Sequence, residues 1–277
     1  MELKITVLVE NSVVVPFNVI GEHGFAAFVE TRNFNFLFDT GQGKALINNS
    51  ISLKKDLSSI KFLYLSHGHY DHTGGMVDLL KVKSPLTVYT HKDAFSKRYW
   101  FKGGIKKYIG IPFDKAYLES LGAQFVYEKE FREIDSGIYS SGEVERKTDF
   151  EKIDAEMKVE NSQGNLVQDQ IWDDFSLAID TSKGLVVLLG CAHAGIVNIL
   201  NHFINKTGRE EIYAVIGGTH LGFATDKQIN ATLEIIEKYN IQKLGASHCT
   251  GLEVAGKLYN KLKDKFFFAG VGSVLEV

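Results

Sequence analysis

Apolar and polar residues alternate with a period of two over much of the first third of the chain, which is the pattern of half-buried strands. This pattern predicts strands at residues 4–10, 26–31, 34–38, 60–65 and 86–90. Two intervening segments, 46–57 and 76–80, instead favour helices. The last three predicted strands are therefore separated by helical segments.

The second half of the chain repeats this order. Strands are predicted at 175–180 and 185–189, joined as a hairpin by the turn Ser182-Lys183-Gly184. Helices follow at 196–205, 226–239 and 252–262, with strands at 212–216, 243–247 and 266–268. Two strand-rich halves punctuated by helices predict an α/β fold in which helices cover two packed sheets, a four-layer αβ/βα sandwich. At 277 residues, one domain over 1–277 is expected.

The segment from about 92 to 172 is less regular, and we interpret it as an insertion that caps a site. It contains a basic and aromatic stretch at 97–108 with two possible roles. It could bind a phosphorylated or aromatic substrate at the mouth of the site, or it could be a solvated basic helix, which is the interpretation favoured for most charge runs. The residues concerned are Lys97, Arg98, Tyr99, Trp100, Phe101, Lys102, Lys106, Lys107 and Tyr108.

Composition excludes several classes of protein. The net charge is −3, so there is no electrostatic reason to expect nucleic acid, and a small-molecule substrate is expected instead. No apolar run reaches the roughly 20 residues that span a bilayer, so no membrane association is expected. With no signal-peptide pattern at the start and only two cysteines, the expected location is the cytoplasm. Oligomeric state is not predicted.

A dense cluster of potential metal ligands follows the predicted strand 60–65. His67, His69, Asp71 and His72 lie within six positions. Imidazole nitrogens and carboxylates are the ligands that borderline cations accept, and a loop at the end of a strand can turn all four towards one point. The sequence therefore predicts one or two divalent transition metal ions, with zinc as the first choice and manganese or iron as alternatives.

The same segment resembles the signature of a known family. Residues 65–75, Leu-Ser-His-Gly-His-Tyr-Asp-His-Thr-Gly-Gly, are similar to the motif of the metallo-β-lactamase superfamily, and Phe-Leu-Phe-Asp-Thr-Gly at 36–41 resembles the strand and turn that precede it. Three later segments, at 189–198, 216–221 and 247–251, resemble the branch that includes the dihydropterin ribofuranosylaminobenzene phosphate synthase-like proteins. The resemblance implies the metallo-β-lactamase type of αβ/βα sandwich.

The resemblance also implies a ligand set drawn from both halves of the chain. Two metal positions are expected, each with ligands from the signature and one histidine from the second half. The first would use His67, His69 and His193, and the second Asp71, His72 and His248.

Five further residues have less certain roles. Cys191 stands where many members place a bridging aspartate; it is either a thiolate ligand or, as the favoured interpretation, a small buried apolar side chain. His220 follows a predicted strand and is a candidate catalytic residue, with a structural role equally open. His23 is a weaker candidate of the same kind, while His91 and His202 are expected to be ordinary histidines.

The chemistry expected of such a site is hydrolysis of a small phosphorylated or ester-type substrate by a metal-activated water. Asp71 would orient or deprotonate that water as well as bind metal. Two alternatives remain. A di-iron oxidoreductase is disfavoured because no flavodoxin-like second domain fits in this length. A non-catalytic metal-containing ligand-binding protein is disfavoured because the candidate ligand set is complete apart from the bridging position.

Overall fold

A computed structural model describes residues 2–277 of the chain. The strands of the first half are β1 (Leu3–Val9), β2 (Ala26–Thr31), β3 (Asn35–Phe38), β4 (Ile60–Tyr64), β5 (Leu86–His91), β6 (Arg98–Lys102), β7 (Ile105–Tyr108), β8 (Ala123–Glu128), β9 (Arg132–Asp135) and β10 (Ile138–Ser140). Those that follow are β11 (Met157–Glu160), β12 (Leu166–Gln168), β13 (Ser176–Thr181), β14 (Gly184–Leu189), β15 (Ile212–Gly218), β16 (Lys243–Ser247), β17 (Phe266–Phe268) and β18 (Val274–Glu276). The α-helices are α1 (Leu46–Ser52), α2 (Tyr70–Thr73), α3 (Met76–Val82), α4 (Lys115–Ser120), α5 (Ile196–Thr207), α6 (Asp226–Lys238) and α7 (Leu252–Leu262).

Two seven-stranded sheets form the centre of the molecule. Their strand orders are β18-β1-β2-β3-β4-β5-β8 and β17-β16-β15-β14-β13-β10-β9. The run β3-β4-β5-β8 is parallel in the first sheet, and β14-β15-β16-β17 is parallel in the second. The residues that follow parallel strands collect at one edge of a sheet, where open α/β sheets bind their ligands.

Apolar side chains divide the molecule into layers. One cluster, which includes Phe38 and Leu188, lies between the two sheets. A second packs α1, α3 and α4 on the outer face of the first sheet. A third packs α5, α6 and α7 on the outer face of the second sheet. This order of helix, sheet, sheet and helix confirms the predicted four-layer αβ/βα sandwich.

A third, four-stranded sheet with the order β12-β11-β6-β7 comes from the irregular segment. The rest of that segment contributes to the main sheets, since β8 extends the first and β9 and β10 extend the second. The separate sheet thus uses only part of the predicted capping insertion, and its capping role stays a prediction.

The interpretation of the basic stretch as a solvated helix is wrong, because it forms the hairpin of β6 and β7. Gly103 and Gly104 turn the hairpin, and both have positive φ angles, 57° and 81°. Glycine adopts positive φ angles without steric cost, so the two residues can form the tight turn of a hairpin. An α-helix requires negative φ angles and could not continue through them.

Two boundaries also differ from the prediction. Helix α1 ends at Ser52 rather than near residue 57, and the Asp56 side chain accepts a hydrogen bond from Ser58 N to begin a short 3₁₀ turn instead. The structure also contains a strand after the last predicted one. This strand, β18, pairs with β1 and is too short for its residues to show a periodic pattern. Among residues 2–277, no helix is both long enough and apolar enough to cross a membrane.

The third sheet is tied to the loop that follows β4 by a buried ion pair. Arg98 donates two hydrogen bonds of 2.6 Å to Asp173 and one of 2.8 Å to Asp169. The same Asp173 carboxylate accepts the backbone N–H of Gly68 at 2.8 Å. The loop of the predicted metal ligands is therefore held by a side chain from a different sheet.

Gly68 offers a test of how tightly this loop is packed. A Cβ at this position would lie 1.9 Å from the carbonyl oxygen of Ala94, which is backbone and cannot move aside alone. Gly68→Ala is expected to lower the free energy of unfolding by about 3 kcal/mol, in the range seen for overpacking. Urea denaturation measures the change.

Gly256→Ala is the matched control, because no atom lies within 4 Å of the Cβ it would add to helix α7. That variant should be stabilised by up to about 1 kcal/mol through helix propensity. Equal unfolding midpoints for Gly68→Ala and the wild type would contradict the packing described.

Candidate metal centre

The buried carboxylate of Asp39, directly after β3, organises the loop that follows β4. It accepts hydrogen bonds of 2.7 Å each from Ser66 N, Ser66 Oγ and His72 Nδ1. Because Ser66 Oγ donates to Asp39, it accepts from His67 Nδ1 at 2.9 Å. Both histidines therefore carry their proton on Nδ1 and turn Nε2 towards the interior of the site.

The structure brings His67, His69 and His193 together. Their ring centroids are 4.5 to 5.1 Å apart, and one potential ligand atom from each lies within 4.8 Å of the others. Burial lowers the pKa of all three rings, that of His69 to about 3. The imidazoles are thus neutral near pH 7, and each has a lone pair. That of His67 Nε2 faces His69 Nδ1 at 2.9 Å. Within residues 2–277, the buried Nε2 atoms of His69 and His193 have no hydrogen-bond partner.

Asp71, His72 and His248 form an adjoining group. His248 Nε2 lies 3.3 Å from Asp71 Oδ2 and 3.3 Å from His72 Nε2. The His248 backbone N–H donates to Glu10 Oε1 at 2.6 Å, which fixes the end of β16 against the first sheet. Burial alone would raise the pKa of Asp71, but His72, His23 and His248 outweigh it and hold the pKa well below its usual value.

The orientation of these rings suits a metal ion. His72 Nδ1 donates to Asp39, and His248 Nδ1 donates at 3.1 Å to Asn11 Oδ1, which also accepts Gly24 N. In the neutral rings, both Nε2 lone pairs then face each other across 3.3 Å, which is repulsive unless a metal ion or a proton lies between them. Burial would lower the pKa of His72, but Asp39 and Asp71 outweigh it, so the pKa is raised and the site favours positive charge.

Two more histidines lie beside these groups. His23 Nε2 is 3.1 Å from Asp71 Oδ2, and its half-exposed ring lies 5.0 Å from that of His248. His220 follows β15 in a left-handed conformation with φ 55°. Its ring lies 4.5 Å from that of His193, and in the described part of the chain neither ring nitrogen has a partner. The structure thus places both weaker candidates at the centre.

The other two histidines lie in different surroundings. His91 is buried, with Nε2 3.2 Å from Glu143 Oε1 and Nδ1 accepting the Asp93 N–H. His202 Nε2 donates to the carbonyl oxygen of Ser141 at 2.9 Å. Each has a protein partner that satisfies it, as expected for an ordinary histidine.

His220 also lines a cavity of 780 Å³ between the third sheet and the start of α6. Phe223, which is 73% exposed, lies beside it with its ring 5.0 Å from that of His220. Three lysines share this cavity with three acidic residues: Lys102, Lys152, Lys227, Asp149, Asp154 and Glu156. The cavity therefore extends from His220, whose ring lies beside that of His193, to a surface of mixed charge.

The basic stretch contributes less positive charge to this cavity than its sequence indicates. Lys97 pairs with Glu160, and Lys102 pairs with Glu156. Arg98 is buried in its ion pair with Asp169 and Asp173. Of the basic residues in the stretch, Lys102 is the one that lines the cavity beside His220.

Several residues of the site carried no assigned role in the sequence. Asp39 lies in the strand and turn at 36–41 that resemble the family motif. That position could have indicated that its side chain hydrogen-bonds the residues at 65–75. Asn11 and Glu10, near the start of the chain, form hydrogen bonds with His248. The sequence around them contains no motif that predicts this contact. Asp173 likewise reaches Gly68 across 105 positions.

Comparison with known proteins identifies relatives along almost the whole chain. The sequence profile of the metallo-beta-lactamase superfamily matches residues 19–159. A 7,8-dihydropterin-6-methyl-4-(beta-D-ribofuranosyl)-aminobenzene-5'-phosphate synthase from Methanocaldococcus jannaschii is 30% identical, over 92% of this chain and 90% of the relative. An uncharacterised protein of the same organism is also 30% identical, over 99% of this chain and 100% of its own length.

Solved structures agree with this relationship. Tm1679, described as a metal-dependent hydrolase of the beta-lactamase superfamily, superimposes with a TM-score of 0.84 at 29% identity, covering 99% of both chains. The metallo-beta-lactamase fold protein YhfI from Bacillus subtilis has a TM-score of 0.58 at 13% identity over all of both chains, which shows a shared fold. The resemblance found in the sequence is confirmed.

Asp39 should matter for metal affinity although it does not face the ion position. Asp39→Asn replaces a carboxylate that accepts three hydrogen bonds by a group with only one acceptor oxygen, so His72 and Ser66 lose their fixed orientation. We expect the zinc affinity to fall by roughly 10- to 100-fold, as for other residues that orient a ligand. Competition against a chromophoric chelator measures the affinity.

Asp78→Asn is the control, since Asp78 lies on the surface of α3 and pairs with Lys81. Its zinc affinity should equal that of the wild type. If Asp39→Asn also binds zinc as the wild type does, the orienting role of Asp39 is wrong.

Proposed function

This chain belongs to the metallo-β-lactamase superfamily, and from that premise we propose that it is a metal-dependent hydrolase of a small phosphorylated or ester-type substrate. The observation that carries the proposal is the pair of His72 and His248 Nε2 atoms, which face each other at 3.3 Å with both Nδ1 atoms already engaged. A metal ion beside the two nitrogens would accept both lone pairs, and this is the use that we propose for the pair.

In this proposal the ligands form two sets. His67, His69 and His193 hold one ion, and Asp71, His72 and His248 hold a second. Five imidazoles and a carboxylate favour zinc over manganese, which prefers oxygen ligands. When bound, such ions polarise a carbonyl or phosphoryl group and lower the pKa of water to about 7.

Asp71 acts in this scheme chiefly by orienting the attacking water. Its Oδ2 atom lies 3.1 Å from His23 Nε2, which can donate a hydrogen bond to it, so the carboxylate is held in place on the side of His23. Its pKa is held well below the usual value by His72, His23 and His248 against the effect of burial, which makes it a weak proton acceptor. The orienting role is therefore favoured over deprotonation.

His220 is the proposed general acid. Burial would lower its pKa, but the adjacent Cys249 sulfur outweighs burial and raises the pKa, which favours the protonated ring. Neither ring nitrogen is engaged by another residue in the described chain, and the ring faces both His193 and the cavity. A proton on His220 is thus available to a leaving group.

The cavity beside His220 is the proposed substrate site. Phe223 offers an exposed aromatic face next to the centre, and Lys152 has no ion-pair partner among residues 2–277. A phosphorylated or carboxylated group could pair with Lys152 while a flat part of the substrate packs on Phe223. The pairing of Lys102 with Glu156 and of Lys227 with Asp149 reduces the charge that a large polyanion would meet.

The central experiment compares His69→Ala with the wild type. Both proteins are purified without added metal, their metal content is determined by elemental analysis, and turnover is measured on phosphodiester, phosphomonoester, lactone and thioester substrates. Loss of one imidazole from the first set should reduce bound metal and lower turnover by on the order of 100-fold or more. His202→Ala, which alters a histidine remote from the site, should change neither.

Retained metal and unchanged turnover in His69→Ala would refute the ligand assignment. A wild-type protein that binds metal stoichiometrically but hydrolyses none of the four substrate classes would contradict the hydrolase proposal. It would instead favour a bond-forming reaction of the kind named for the methanogen synthase, to which the chain is 30% identical.

Phe223 tests the location of the substrate independently of the metal. Phe223→Ala should raise KM for the best substrate about fivefold, because loss of an aromatic contact costs about 1 kcal/mol. Metal content and unfolding midpoint should stay the same. Phe17→Ala, which removes another exposed phenylalanine, one that lies outside the cavity, is the control and should leave KM unchanged. An unchanged KM in Phe223→Ala would place the substrate elsewhere.

A further inference from the structure

The two cysteines of the chain lie just beyond β14 and β16, the strands on either side of β15 in the second sheet. Cys191 comes two residues after β14, and Cys249 comes two residues after β16. Both are free thiols. The two Sγ atoms and a ring nitrogen of His248 lie within 4.8 Å of one another, so the folded chain brings two sulfur atoms to the edge of the second group of ligands.

Cys191 has the more central position. Its Sγ atom is 3.3 Å from His72 Nε2. The same atom lies within 4.8 Å of ligand atoms of His67 and His72, and within 4.8 Å of ligand atoms of His193 and His220. One sulfur is therefore in reach of both proposed metal positions, which is what a ligand shared between two ions requires.

The surroundings of Cys191 differ from those of a small apolar core residue. Its neighbours Ala192 and Ala194 pack into the helix-covered apolar cluster of the second sheet. The left-handed conformation of Ala192, with φ 57°, turns the chain between Cys191 and His193. The cysteine sulfur faces imidazole nitrogens, where an alanine or valine would make no polar contact.

Cys249 is oriented by the backbone around it. The N–H of His220 donates to its Sγ atom at 3.2 Å, as amides commonly do to ligand sulfurs. Gly218 leaves room for this sulfur, since a Cβ there would lie 2.8 Å from it. Two elements, the end of β15 and the turn after β16, thus place the sulfur beside His248.

We propose that Cys191 and Cys249 are thiolate ligands of the metal centre, with Cys191 shared between the two positions and Cys249 joining His248 at the second. This proposal rests on the metal centre of the proposed function and adds to its ligand set. On binding, each S–H bond breaks, its proton passes to solvent and a sulfur–metal bond forms, with no change of oxidation state. Soft sulfur donors would make the centre select zinc, iron(II) or cobalt(II) over manganese or magnesium.

Cobalt(II) titration of the reduced, metal-free full-length protein tests the proposal without an activity assay. Cobalt bound by any of the ligands gives visible d–d bands, whereas sulfur bound to cobalt adds an intense charge-transfer band in the near ultraviolet. The wild type is expected to show both. Cys191→Ser should lose the larger part of the charge-transfer band, because Cys191 would form two of the three sulfur–cobalt bonds, and Cys249→Ser should lose the smaller part. The double variant should lose all of the band while it keeps the d–d bands.

Ser247→Ala is the matched control, since this buried neighbour of His248 carries a hydroxyl rather than a thiol, and its spectrum should equal that of the wild type. Visible d–d bands without a charge-transfer band in the wild type would overturn the cysteine assignment and leave the metal centre intact. Absence of both bands would refute the centre itself. The wild-type spectrum decides between these results even if a cysteine variant does not fold.

Discussion

The buried carboxylate of Asp39 is the constraint on which the centre depends. It lies at the end of β3 in a left-handed conformation, with φ 58°, and accepts three hydrogen bonds from the loop that follows β4. A buried carboxylate is stable only when its oxygens are saturated by donors or offset by positive charge. The hydrogen bonds to Asp39 fix the positions of Ser66 and His72. Ser66 Oγ in turn accepts a hydrogen bond from His67 and fixes the ring of that residue.

The second half of the chain meets this fixed loop through the ends of parallel strands. Three non-glycine residues adopt left-handed conformations there, Ala192 after β14, His220 after β15 and His248 after β16. Each costs backbone energy that an ordinary turn would avoid, and such strain persists where the surrounding structure demands it. Here it lets three successive strands present His193, His220 and His248 to one point.

The features that could be predicted from the sequence are those that depend on residues close together in the chain. The strands and helices of the two main sheets follow from their periods, and the ligands at 67–72 are recognisable because they are adjacent in the chain. The β6–β7 hairpin was missed although Gly103 and Gly104 mark its turn. The charges that suggested a solvated helix are paired with Glu156 and Glu160, far along the sequence. Likewise Asn11 meets His248 across 237 positions. Such contacts depend on the finished fold, and no short segment encodes them.

The short strand β6 joins the centre to the cavity beside it. At its first position Arg98 binds Asp173, which in turn accepts the N–H of Gly68 between two proposed ligands. Four residues on, at a rise of about 3.3 Å per residue, Lys102 lines the cavity that contains His220. Movement of this strand would therefore shift the cavity wall and the ligand loop together. Because the Arg98 ion pair is buried and its hydrogen bonds are charge-assisted, the spacing between the cavity and the proposed metal ligands is set by the fold.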